Sequence, residues 1–91
     1  MVTRSVMVVN QLGMHARAAA KFVHLATRFE SRVRVAKQER EMDGKSIMGL
    51  LLLGAAKGST ITITADGVDE VDAIAALCAL VQRGFDEVPC A

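Results

Sequence analysis

The chain has no tryptophan and no tyrosine, and only three phenylalanines among its 91 residues. Without aromatic faces it lacks the stacking platform that single-stranded nucleic-acid binders use. Its core must be aliphatic, drawn from Val, Ile, Leu, Met and Ala, and the 52% apolar fraction supplies enough of them. An excess of one charge is missing as well. Eleven Lys and Arg stand against ten Asp and Glu, a net charge of +1, so no global field draws the chain to nucleic acid or to an anionic membrane.

Cysteine is sparse. Two thiols in a chain this short make no disulfide framework, and a reducing compartment follows. Cys78 falls in an apolar helical pattern and reads as a small buried hydrophobe; Cys90, behind Pro89, reads as exposed. Met1 to Val9 has no cleavable apolar region followed by small residues. The longest apolar run, Ile47 to Ala56, contains two glycines and falls well short of the roughly 20 residues a bilayer demands. These absences describe a soluble, cytoplasmic protein with no membrane segment. Its length suits a single domain over residues 1–91.

What is present alternates between two periods. Ser5 to Val9 is a Val-rich strand ended by the turn residues Asn10-Gln11-Leu12-Gly13. From Ala16 the period lengthens: Ala19, Phe22, Val23 and Ala26 share one helical face, with Arg17, Lys21 and Arg28 elsewhere. Ser31 to Ala36 alternates again, and Glu39 to Asp43 reads as a second short strand. Ser46 to Leu53 forms a brief apolar helix, which Gly54 stops. Thr60 to Ala65 alternates Ile against Thr. Asp69 and Glu70 then open a last helix, where anionic side chains suit the dipole. The order βαββαβα predicts an α+β open-faced sandwich, a four-stranded, mainly antiparallel sheet with three helices on one face.

One histidine occupies a chemically suggestive place. His15 stands between the Gly13 turn and the predicted helix, in Gly13-Met14-His15-Ala16-Arg17. A helix amino terminus exposes unpaired N–H groups, here those of Ala16 and Ala18 among them, and carries partial positive charge. Imidazole, with an ordinary pKa of about 6.5, keeps a neutral nucleophilic nitrogen at cellular pH. Arg17 adds a planar fork of donors matched to phosphate oxygens. By spacing alone, a lone histidine before a helix is more often an adequate cap or surface residue than a nucleophile.

Asn10-Gln11-Leu12-Gly13-Met14-His15-Ala16-Arg17 closely resembles the active-site motif of the histidine-containing phosphocarrier proteins (HPr) of the bacterial phosphoenolpyruvate-dependent phosphotransferase system. A second segment of that family follows at the expected distance, Asp43-Gly44-Lys45-Ser46-Ile47-Met48-Gly49 running on to Gly58, and a third spans Ile61 to Glu70. The resemblance covers about Thr3 to Phe85. It implies that His15 takes a phosphoryl group from phosphorylated Enzyme I and gives it to IIA domains of permeases or to regulatory IIA proteins. Arg17 would stabilise the group in transit, with the phosphoryl derived from phosphoenolpyruvate and no cofactor. The chain would then be a covalent relay rather than an independent enzyme, and a monomer. Most members carry proline where this chain has Ala18; alanine keeps the helix and adds an N–H near the anion.

Ser46 reads as a helix N-cap. The resemblance also makes it the regulatory serine of a dedicated HPr kinase/phosphorylase, whose added charge would suit the helix start and repel an acidic partner. The helix from Ile47 is apolar nearly all round, so Ile47, Met48 and Leu51 are expected at the surface. With Lys21 and Lys45 beside Arg17 they would form an apolar docking patch with a basic rim. His24 reads as an ordinary helix residue, and no metal-ligand spacing or nucleotide loop occurs. Two alternatives stand: a nitrogen-related HPr-like protein that signals through its phosphorylation state, favoured by Met14 and the ending Gly84-Phe85-Asp86-Glu87, and a non-covalent module. The latter would bind a metabolite or act as a corepressor through the Ser46 face.

Overall fold

The computed structural model describes residues 1–86; Cys90 and Glu87 lie outside them. Seven main elements follow in order: β1 (Val2–Met7), α1 (Ala16–Ala26), β2 (Arg32–Lys37), β3 (Arg40–Asp43), α2 (Ile47–Leu53), β4 (Thr60–Asp66) and α3 (Glu70–Gln82). A 3-10 turn, Gly84–Asp86, ends the described chain. The four strands form one sheet in the order β1-β4-β2-β3, every neighbouring pair antiparallel. The sequence-predicted α+β open sandwich is therefore the fold.

Two-residue periodicity divides the sheet into unlike faces. Val6 pairs with Ile61, and Val33 and Val35 with Ala65 and Ile63; all six side chains are buried beneath the helices. The opposite face is polar. Hydroxyl pairs cross it, Thr3 with Thr64 at 3.2 Å and Ser5 with Thr62 at 3.1 Å. α3 covers β1 and β4, α2 covers β2 and β3, and α1 packs against both helices. Phe22, Leu50, Ile74, Leu77 and Phe85 fill the space between, and Cys78 is buried with them.

The first strand starts and ends earlier than its valines suggest. The ladder runs over Val2–Met7 rather than Ser5 to Val9, because β4 begins at Thr60, opposite Met7. Val8 then pairs with the preceding loop: its N–H donates to Ser59 O (2.8 Å), and its carbonyl accepts from Gly58 N–H (2.7 Å). The strand is thus handed directly to the segment that carries His15.

The far end of the sandwich is tied by Asp69. Its carboxylate accepts the Ser31 hydroxyl and the N–H groups of Glu30 and Ser31, each N–H at 2.9 Å. The Ser31 hydroxyl above all, with the Glu30 N–H, holds the Asp69 carboxyl below the usual carboxylate range. Gly67 has no room for a side chain, since a Cβ there would stand 2.6 Å from Ser31.

Candidate functional site

The His15 loop is built by its neighbours. Asn10 opens a tight turn: Gly13 N–H donates to Asn10 O (3.2 Å), and the buried Asn10 Nδ2 donates to Gly13 O (2.7 Å). Gly13 has φ +68°, the left-handed region that glycine tolerates, and a Cβ would lie 2.6 Å from Ala55 O. Only glycine lets the loop lie this close to the segment after α2. Met14 N–H seals the contact by donating to Ala55 O (2.8 Å), and Lys57 Nζ donates to Gln11 Oε1 (3.2 Å).

His15 is the N-cap of α1, extended at φ −79° and ψ 179°, and its side chain does not cap the helix. Its carbonyl accepts Ala19 N–H (2.8 Å), the first helical bond. The N–H groups of Ala16, Arg17 and Ala18 therefore fall in the first turn, where the helix supplies no acceptor. No acidic residue lies in that turn, so the positive end of the dipole is not neutralised from within. His15 is half-buried, Arg17 is exposed, and Ala18 is buried at 1%. Among the described residues Arg17 has no hydrogen bond or ion pair. The arrangement joins a ring nitrogen, three helix-end N–H groups and an uncommitted guanidinium, all suited to a small dianion.

A concavity of about 500 Å³ is lined by Lys37, Gln38, Glu39, Arg40 and Leu53, none of them from the His15 loop. Among the described residues no cluster of three His, Cys, Asp or Glu could hold a metal ion.

Ser46 caps α2, its Oγ accepting Gly49 N–H at 3.0 Å, and Gly54 ends the helix in the left-handed conformation at φ +65°. α2 runs antiparallel to α1: the segment after α2 meets Met14 at α1's beginning, while Lys45, before α2, reaches Phe29 O beyond α1's end (2.7 Å). Ser46 therefore lies at the end of the α1–α2 pair away from His15. Ile47, Met48 and Leu51 are exposed, and so are Leu52 and, on the His15 loop, Leu12. Met48 and Leu52, at 67% and 59%, are the most open on α2, so the expected apolar patch is exposed and extends to Leu52.

The two lysines of the expected rim are tethered. Lys21 Nζ donates to Phe85 O (2.8 Å), with Asp86 nearby, and Lys45 Nζ is held at the Ser46 end. Asn10 was not singled out by its sequence; a turn asparagine ordinarily faces solvent, and only its burial marks it. Leu12 and Leu52 were missed for a like reason, since periodicity does not tell which apolar residues of a loop or short helix stay uncovered.

Comparisons with known proteins bear on the same residues. The family model described as the PTS HPr component phosphorylation site matches residues 2–83. The phosphocarrier protein HPr of Cupriavidus necator is 46% identical over 87 residues, covering 96% of this chain and 98% of the relative. The phosphocarrier protein NPr of Shewanella violacea is 42% identical over 84 residues, covering 92% of each. The crystal structure of HPr-C-His from Thermoanaerobacter tengcongensis superposes with a TM-score of 0.93 at 38% identity, over 98% of this chain and 100% of that one. Sequence, backbone and the loop at His15 agree over almost the same span, and on that ground the chain belongs to the HPr phosphocarrier family of the phosphotransferase system.

Proposed function

We propose that His15 accepts a phosphoryl group from phosphorylated Enzyme I and donates it to IIA domains, of permeases or of regulatory proteins. The carrying observation is the N-cap geometry: a histidine at the start of α1 whose side chain does not cap the helix, before three first-turn N–H groups with no helical acceptor. In the forward step the lone pair of a neutral ring nitrogen attacks phosphorus. The N–P bond to His15 forms as the bond from phosphorus to the donor breaks. In the second step an acceptor on IIA attacks the same phosphorus, and the electron pair returns to the His15 nitrogen. Arg17 and the N–H groups of Ala16 and Ala18 hold the equatorial oxygens through both steps, where charge is spread over them. The phosphoryl originates in phosphoenolpyruvate, so the cycle needs no resident cofactor.

The exposed Arg17 and Leu12 beside His15 fit a relay, since each partner supplies the remainder of the catalytic surface and the carrier must release it. Leu12, Met48, Leu51 and Leu52 offer apolar contact, and Arg17 offers charge, to a partner face that is apolar and acidic. Ser46 is the proposed regulatory position for an HPr kinase/phosphorylase. Phosphorylation there would retain an oxygen near the α2 start while placing about −1.5 to −2 charge beside the patch, opposing an acidic partner.

The nitrogen-related reading, signalling through phosphorylation state, is the second candidate; the likeness to an NPr favours it. Intact-mass analysis after incubation with phosphoenolpyruvate and Enzyme I tests the carrier role. One acid-labile phosphoryl adduct is expected, absent from His15→Ala. Failure with both the sugar-type and the nitrogen-type Enzyme I would leave a non-covalent regulator. Success with only one of them assigns the branch.

A further inference from the structure

The geometry points to Asn10 as the residue that positions His15 for transfer, through the buried amide that holds the Gly13 carbonyl. The inference rests on the phosphocarrier reading. Gly13 O accepts two hydrogen bonds, from Asn10 Nδ2 at 2.7 Å and from His15 N–H at 2.9 Å. The second closes only a three-residue turn around Met14, a single short-range bond that fixes little by itself. The Asn10 amide pins the acceptor of that turn, so the backbone that carries the imidazole is fixed through one shared oxygen.

Asn10 is 6% exposed, and its Oδ1 is buried with no hydrogen-bond partner. A carbonyl oxygen only accepts, so the atom facing Gly13 O must be the nitrogen, and the amide cannot turn over to satisfy its oxygen. The usual turn asparagine works in the opposite sense, its oxygen accepting a backbone N–H two residues on. Aspartate, the common substitute in turns, would therefore fail here. The 2.7 Å bond to Gly13 O thus sets which way the amide lies, and the loop that carries His15 dictates the orientation of Asn10. The residue is gripped from both sides. Val8 is bonded to Gly58 and Ser59, and the end of α3 leaves only ordinary contact distance, 3.4 Å, between a Cβ built on Gly84 and Asn10 Cβ.

Asn10→Leu tests this, since leucine keeps much of the volume while removing both the donor and the unpartnered oxygen. For phosphoryl acceptance from phosphorylated Enzyme I, kcat should fall about tenfold with KM within about twofold, because misplacing a reacting group by an ångström suffices for such losses. The His15 amide should exchange at least about tenfold faster, and the urea midpoint should hold or rise. A kcat within about twofold of the parent, or one that falls only in step with a lowered midpoint, overturns the role. Should the variant not fold, hydrogen exchange on the parent decides. The His15 N–H is expected to be protected at least about tenfold beyond the Gln11 and Leu12 amides of the same loop, and equal exchange overturns the brace. If the parent accepts no phosphoryl group, the carrier reading fails, while the exchange result still judges Asn10.

Discussion

At the start of α3, carboxylates crowd together: Asp69 is the N-cap, and Glu70 and Asp72 lie in the first turn. Glu70 accepts Gly67 N–H (3.2 Å) and pairs with the amino terminus (2.8 Å), and Asp69 reaches across to Ser31. Neither N-cap side chain bonds its own helix, but at the start of α1 there is no acid in the first turn, and the charge there, on Arg17, has the wrong sign for a dipole's positive end. Both helices are amphipathic and packed on the same core, so burial does not explain the difference. One helix start is finished for stability, and the other is left short of negative charge. A phosphoryl group on His15 would complete at α1 what Asp69 and Glu70 already complete at α3.

The sharpest way to break this contrast is to give α1 a carboxylate at its N-cap position, as α3 has. In His15→Asp the carboxylate should accept a first-turn N–H and raise the unfolding free energy by about 1 kcal/mol, read from urea denaturation. Phosphoryl acceptance should fall by more than about a thousandfold, since the nucleophilic nitrogen is gone. Loss of stability in this variant would mean that α1 is not short of an anion.

Removing the guanidinium comes next. Arg17→Ala should lower kcat/KM for transfer by about 10- to 100-fold, the equivalent of a charged hydrogen bond of roughly 1.5–3 kcal/mol. Arg17→Lys should restore only part, because an ammonium lacks the planar fork. Steady-state transfer from phosphorylated Enzyme I measures both, and an unchanged Arg17→Ala rate removes Arg17 from the reaction.

The α3 end should respond to pH rather than to phosphoryl chemistry. Hydrogen bonds from the Ser31 hydroxyl, then from the Glu30 N–H, depress the Asp69 carboxyl in the folded chain. A depressed folded value means stability that is present above the ordinary carboxylate range and is lost as pH falls through and below it. Asp69→Asn should be less stable at neutral pH and show a flatter acid limb in urea titrations. Its transfer rate at neutral pH should stay within about twofold of the parent, since the tie lies at α1's far end. A slowed transfer would show the two ends to be coupled.

Much of the contrast is legible in the residues alone. Asp69 and Glu70 before an apolar period announce one helix start, and Ser46 and Gly54 bracket α2 at its observed cap positions. His15 and Arg17 are visible as a pair, though their meaning came from the likeness of the whole loop to a family rather than from spacing. Other features depend on the third dimension. Gly13 reads as a turn glycine, but its closeness to Ala55, 42 positions on, follows from the antiparallel pairing of α1 and α2. The lysine tethers needed the positions of Phe29 and Phe85, and a carbonyl acceptor leaves no trace in a residue pattern. The early end of β1 was set by where β4 begins.

The smallest expected effect concerns the N–H of Ala18, where most members of the family have proline. Ala18 is the third helical residue, and its side chain is buried at 1% beneath the first turn. Proline's fixed φ suits that turn, and its missing N–H breaks no helical bond there, so Ala18→Pro should fold. What it removes is one donor from the set around the phosphoryl group. That donor faces the phosphoryl oxygens in the ground state and in the transition state for hydrolysis alike, so only the difference enters the rate, about 0.5–1 kcal/mol or roughly two- to fivefold. If that donor steadies the ground state of the phosphohistidine, the phosphorylated variant should hydrolyse about threefold faster, measured by loss of the acid-labile adduct in intact mass spectra over time. Equal lifetimes would mean that the N–H groups of Ala16 and Arg17 already saturate the oxygens they can reach. The negative charge of the phosphoryl group would then be held by two N–H donors and one guanidinium, with alanine at position 18 serving only the packing beneath the turn.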